Sequence, residues 1–232
     1  LSGSAENAVL SQARNDYLSG NFEAAIAGYD QYLETMEDAG GTVHFLRGAA
    51  KMQYGLTAEA VEDLNEALTL GYADTAVVYE YLSSCYFILG EYSKVLEVSE
   101  KSIATGSTTP AYDTMYQRMG VSAMALEKFA DAASYFESSL EVNDTLLGNY
   151  YYLGMAEMAL EKYDDAIAAF TTSIERQEVL QRSYYNRGVC YIQTDRFDEG
   201  VDDLEETMKL TEDETLVESA KELPWQIAVP YM

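Results

Sequence analysis

The sequence predicts an all-α fold of consecutive helix-turn-helix units, and three observations carry that expectation. One spacing pattern recurs six times, proline is scarce, and Ala, Leu and Glu, which favour helices, are abundant. The chain of 232 residues is long enough to bury a substantial core. Its prolines are Pro110, Pro224 and Pro230, none placed where a helix would have to break mid-chain.

The pattern is an aromatic residue followed three positions later by a small one. It occurs as Phe22 with Ala25, Tyr92 with Val95, Phe129 with Ala132, Tyr163 with Ala166 and Phe197 with Gly200. Thr57 with Ala60 is a degenerate second copy. Successive copies lie 35, 35, 37, 34 and 34 residues apart. Nine residues before each stands another small side chain: Ala13, Gly48, Ser83, Gly120, Gly154 and Gly188. A small residue on the first helix and one after the turn let two helices approach closely, while the aromatic fills the space between them. Gly20, Gly55 and Gly90 fall in the turns of the first three copies, where glycine adopts a left-handed conformation cheaply. Glu127, Glu161 and Asp195 take that place later, so those turns must be made without glycine.

This arrangement resembles the tetratricopeptide repeat, most clearly in the stretches MYQRMGVSAMALEKFADAASYFESSL and YYYLGMAEMALEKYDDAIAAFTTSI. The resemblance covers about residues 6–212 and implies a right-handed superhelical solenoid of six repeats. The family's terminal proline is absent from all six copies, and its early Trp is mostly Tyr, as at Tyr79, Tyr116, Tyr150 and Tyr184. Extra residues around Thr108-Thr109-Pro110 predict a longer loop, with Pro110 opening the next helix after a Thr cap. After the repeats, Thr211-Glu212-Asp213-Glu214 reads as a capping box that opens a capping helix over 213–223. Residues 224–232 form an apolar tail and residues 1–5 a tether.

Composition narrows the chemistry. The formal net charge is -26, from 40 acids against 14 Lys and Arg, which disfavours nucleic acid and anionic lipid as partners. No apolar run approaches the roughly 18 residues of a membrane span. His44 is the only histidine, so neither a histidine metal cluster nor a histidine-based triad is expected. It stands at a position that is aromatic in four sister repeats and reads as a helix-packing residue. Cys85 and Cys190 share one position in repeats three and six and read as buried, unpaired, inert thiols. With no glycine-rich phosphate loop or calcium loop, no cofactor is expected. The acids, Asp202-Asp203 and Glu205-Glu206 among them, read as solvated outer faces rather than a catalytic pair. The small polar start Leu1-Ser2-Gly3-Ser4 reads as the tether left when a signal or lipidated segment is removed. That reading makes the chain an extracytoplasmic bacterial protein, anchored or secreted, with a cytoplasmic one as the alternative.

The expected function is therefore a non-catalytic scaffold for a protein or peptide partner. In the family, first helices line a concave groove. At helical spacing the stripe beside the core gives Tyr17, then Phe45 and Met52, then Phe87. It continues through Met124, then Tyr151, Met155 and Met158, and ends at Tyr185 and Ile192. A solvated face would be polar there, and this one is mostly aromatic, Met and aliphatic. The same residues could instead pack against adjacent helices. A carboxylate clamp of the kind some family members use is not expected, because Phe45 and Glu80 stand where lysines would be. Trp225, Ile227 and Tyr231 of the tail are candidates for docking into the groove, of the same chain or of a second copy. The alternative function is an envelope-associated accessory protein that stacks glycans on the Tyr-rich inner surface.

Overall fold

The computed structural model describes residues 3–228, and all the regular structure among them is α-helical. Two compact units divide at residue 111. The first contains α1 (Gly3–Leu18), α2 (Phe22–Thr35), α3 (Thr42–Tyr54), α4 (Thr57–Thr69), α5 (Thr75–Ile88) and α6 (Tyr92–Ala104). The second contains α7 (Tyr112–Ala125), α8 (Phe129–Val142), α9 (Asn149–Ala159), α10 (Tyr163–Glu175), α11 (Leu180–Gln193), α12 (Phe197–Leu210) and α13 (Glu214–Ala228). Odd-numbered helices up to α11 are the first members of six pairs, and each packs on the even-numbered helix that follows.

Each pair is joined by a residue in the left-handed region. Gly20, Gly55 and Gly90 have φ of 79°, 95° and 73°, and Glu127, Glu161 and Asp195 adopt 58°, 61° and 60° at the same place. Close packing follows at a fixed separation of sixteen residues. A Cβ added to Gly120 would lie 2.5 Å from the Phe136 ring, and one on Gly154 would lie 2.7 Å from Phe170. Both rings are fully buried, so the absent side chain on the first helix is the space that the ring occupies. The third pair replaces this fit with a hydrogen bond, the Ser83 and Ser99 hydroxyls lying 2.8 Å apart.

Two pairs carry an ion pair one position away from this contact. Arg47 donates to both carboxylate oxygens of Asp63 at 2.8 and 2.6 Å, and Arg187 to both of Asp203 at 2.7 and 2.8 Å. Asp203 is buried, which corrects its assignment to a solvated face. The fork geometry of the guanidinium satisfies both oxygens at once, so the carboxylate can leave water. Leu82 and Val98 hold the equivalent positions in the third pair and show the apolar solution to the same space.

Buried hydroxyls tie the second helices to the start of the first. Ser102 Oγ donates to the Ala76 carbonyl at 2.9 Å and Ser139 Oγ to that of Asp113 at 2.7 Å. Asn149, also fully buried, donates to Ser139 Oγ and accepts from Gln117. At the entry to α9 the buried Glu178 accepts the Gly148 N–H at 2.9 Å. His44 is more than a packing residue: its backbone N–H and Nδ1 both face Asp38 Oδ2, at 2.9 and 2.8 Å, anchoring the first turn of α3.

Several boundaries differ from the sequence expectations. The connection 105–111 is the longest between pairs, as its extra residues imply, but α7 begins at Tyr112, so Pro110 precedes the helix instead of opening it. Helix α1 already includes Gly3, Ser4 and Ala5, which were expected in a tether. The cap of α13 is Asp213, whose Oδ1 accepts from the N–H groups of Thr215 and Leu216 at 3.0 and 3.3 Å, and not Thr211. That helix runs on through Pro224 to Ala228, so residues 224–228, read from the sequence as part of an apolar tail, continue the helix. Cys85 and Cys190 are free and buried, and desolvation pushes their thiols up to about 11 and about 12.

Four outcomes follow from this packing. Gly154→Ala should lower the unfolding free energy by about 1–3 kcal/mol in urea titrations, because Phe170 has no room to retreat. Asp203→Ala should cost about 2–3 kcal/mol by leaving the half-buried Arg187 guanidinium without its carboxylate. The double change Arg187→Leu with Asp203→Val, which copies the third pair, should recover most of that loss. At pH 8 both thiols should resist a chromogenic thiol reagent until denaturant unfolds the chain, and prompt reaction of either in the native state would contradict their burial.

Candidate functional site

In the first unit the expected groove residues close over the core. Phe45 stacks on Tyr72 with ring centroids 4.6 Å apart and meets Tyr81 edge-on at 5.3 Å. Tyr17 meets Phe22 edge-on at 5.6 Å. Burial, followed by the neighbouring Tyr17, pushes the Tyr81 phenol up to about 12. Met52 and Phe87 are half-buried against the cluster that contains Leu64, Leu82 and Val95. Aromatic contacts of this density hold the rings in place by edge and stacking interactions.

The second unit separates the expected residues into two groups. Tyr151 and Ile192 are buried, 8 % and 4 % exposed, so they belong to the core and not to an open surface. The reason for Ile192 is local: Gly200 has no Cβ, and one there would lie 2.6 Å from Ile192 Cγ1. The Tyr151 ring lies against Phe170 and Tyr152, at 6.0 and 5.5 Å. Met124, Met155, Met158 and Tyr185 remain half-buried, with Val121 and Val189 beside them on the first helices. Met155 and Met158 pack at the edge of the cluster of Tyr151, Ile167 and Phe170, while Tyr185 packs against that of Ile192, Leu204 and Ala220.

Two polar residues at this surface escaped the sequence reading. Arg182 and Asn186 are four apart on α11, Arg182 exposed and Asn186 buried, and both oppose the effect of burial on the Tyr151 phenol. Burial raises the Tyr151 pKa, and the Arg182 charge opposes the shift. Asn186 Nδ2 also points at Met155 Sδ, 3.3 Å away. The i,i+4 spacing of Arg182 and Asn186 was visible in the sequence as a polar strip flanking Tyr185, but apolar periodicity passes over such pairs.

Elsewhere the second unit has an open cleft of about 410 Å³ between α8, α9 and α10, lined by Glu137, Glu157 and Asp165 with Lys162. Glu157 is buried there, 3.4 Å from Lys162 Nζ. The Tyr150 and Tyr184 rings are covered by the guanidinium groups of Arg176 and Arg187, at 4.8 and 5.4 Å. With those faces occupied and Tyr151 buried, no observation favours sugar stacking. Among the described residues no group of three or more metal-ligating side chains gathers, and no helix is long and apolar enough to cross a membrane. The side chains of Trp225 and Ile227, and Tyr231 altogether, lie outside the described residues, and so does their docking.

A family model described as tetratricopeptide repeat matches residues 151–209. No curated protein sequence matches the chain. Among solved structures, YrrB, described as a tetratricopeptide-repeat protein with an unusual peptide-binding site, aligns with a TM-score of 0.74 at 18% identity, over 84% of this chain and 97% of that one. A tetratricopeptide-repeat protein from Parabacteroides merdae aligns with a TM-score of 0.68 at 17% identity, over 96% and 86% of the two chains. PilF of Pseudomonas aeruginosa gives 0.67 at 15% identity, over 94% and 97%. Six helix pairs with a shared packing register and a thirteenth helix against the sixth pair give this chain the fold of tetratricopeptide-repeat proteins, and the family model itself matches across α9–α12.

Proposed function

We propose that this chain is a non-catalytic interaction scaffold, and that the first helices of its second unit bind a peptide or helix of a partner protein. The observation that carries this reading is the half-buried set Met124, Met155, Met158 and Tyr185, with Val121 and Val189, on α7, α9 and α11. Methionine is unbranched and polarisable, so it adapts to varied apolar side chains. Apolar positions repeated along a set of helices suit an amphipathic helix or an extended segment. The peptide-binding description of YrrB supports the same class of function for this chain. In the first unit Tyr17, Phe45, Met52 and Phe87 contribute aromatic and thioether surface that is more fully engaged in packing.

Methionine methyl resonances test the reading directly, using the full chain and binders selected from a displayed peptide library. Met124, Met155 and Met158 should shift on binding, whereas the fully buried Met115 and Met119 should hold their positions. Shifts confined to residues of the even-numbered helices, or a library that yields no binder, would refute the assignment.

A further inference from the structure

Three residues after the small packing residue, the first helices carry Asp16, Lys51, Tyr86, Ala123, Glu157 and Tyr191. In the third and sixth pairs the tyrosine there is covered by a cation. Lys94 Nζ lies 5.0 Å from the Tyr86 ring centroid, and the Arg196 guanidinium lies 4.4 Å from that of Tyr191. The fifth pair puts the Glu157 carboxylate where those rings stand. Its side chain is 8 % exposed, and its cation is Lys162, from the same N-cap position that Arg196 holds in the sixth pair. Lys162 Nζ comes only to 3.4 Å of Oε2 and is itself more than half exposed, so this ammonium keeps much of its water. Among the described residues Oε2 accepts no hydrogen bond. Asp63 and Asp203, also buried, each receive both N–H groups of an arginine fork from their own chain. Glu157 is a buried acid without such a fork.

The same carboxylate lines the open cleft of about 410 Å³ between α8, α9 and α10. Exposed Glu137 and Asp165 line it too, with Tyr150, Leu153 and Ala168 as apolar wall, so three acids face one lysine. The other nearby cation, Arg176 over the Tyr150 ring, is paired with Asp144 at 3.2 Å. The acids do not gather closely enough to ligate a metal ion, which favours a broader cation. We propose that this cleft receives the guanidinium of an arginine side chain carried by a partner protein. A guanidinium offers two parallel N–H groups to one carboxylate and further donors to a second, whereas an ammonium is a point charge. Its flat face also suits the aromatic and aliphatic wall. Displacing Lys162 returns an already solvated ammonium to water. The net charge of -26 draws cations to the whole surface, and the buried Glu157 is what sets the cleft apart from that diffuse attraction. Neither Met155 nor Met158 lines the cleft, so the site does not depend on the methionine surface described above.

The test titrates the full, isotope-labelled chain with N-acetylarginine amide, its lysine and citrulline counterparts and free arginine, following the backbone amides of Glu157, Lys162 and Thr172. Capped arginine should shift them saturably with a Kd of about a few millimolar, lysine should bind about fivefold more weakly, and citrulline should have no effect. Glu157→Gln should weaken arginine binding about tenfold, the scale of a charge-assisted hydrogen bond. Lys162→Gln, at an exposed position, should tighten it by removing the competing ammonium, and this sign holds the proposal to account even if Glu157→Gln unfolds the chain. Asp202→Asn on α12 should leave the affinity unchanged. Equal weakening by Asp202→Asn and Glu157→Gln would reduce the effect to diffuse surface charge and overturn the site. Weaker binding to the Lys162→Gln chain, or no saturable shift with capped arginine, would overturn it as well. Tighter binding of free arginine than of the capped form would overturn the protein source.

Discussion

The contact on which the rest depends is the one between a small residue on a first helix and the residue sixteen positions later on the second. Gly120 admits Phe136 and Gly154 admits Phe170, each ring sitting where a Cβ would otherwise stand. Because the ring fills the space of the missing side chain, the two helix axes are held close and in one register. Neighbouring positions inherit that register. Arg47 meets Asp63, and Arg187 meets Asp203, because they stand one residue before the small residue and one before its partner. Hydroxyls at Ser102 and Ser139 reach a backbone carbonyl twenty-six residues earlier for the same reason.

This register also explains how so acidic a chain folds without placing like charges together in its core. The second helices present most of their acids outward, as on α12, where Asp202 and Glu205 are exposed. Four of the acids that turn inward have a donor waiting, Asp63 and Asp203 with arginines, Asp38 with His44 and Glu178 with the Gly148 N–H, while Glu157 has the Lys162 ammonium 3.4 Å away. A buried carboxylate without such a partner would cost several kcal/mol, so each inward acid implies a particular donor in the paired or adjoining segment. One result is a set of first helices nearly stripped of net negative charge.

The binding surface emerges as what the register leaves uncovered. Tyr151 and Ile192 stand on the same stripe as Met155 and Met158, yet they are drawn inward, Ile192 by the gap at Gly200 and Tyr151 by packing against Phe170. The methionines stay at the rim of the same clusters. Whether a side chain on that stripe is core or surface therefore depends on its opposite number on the next helix, and not on its own hydrophobicity.

By itself the sequence determined the six copies of the period, the helix pairs, the glycine turns at Gly20, Gly55 and Gly90, and the burial of Cys85 and Cys190. These follow from local stereochemistry and from periodicity, which one strand of text carries in full. Tertiary structure alone decided that Asp203 is buried, that Tyr151 and Ile192 are core, and that Asn186 directs its amide at Met155. It also decided that α13 continues through Pro224 and is capped by Asp213. The physical reason is the same throughout. Periodicity specifies which face of a helix a residue occupies, whereas burial and pairing depend on the space and donors that another helix, sixteen or thirty-one residues away, happens to supply.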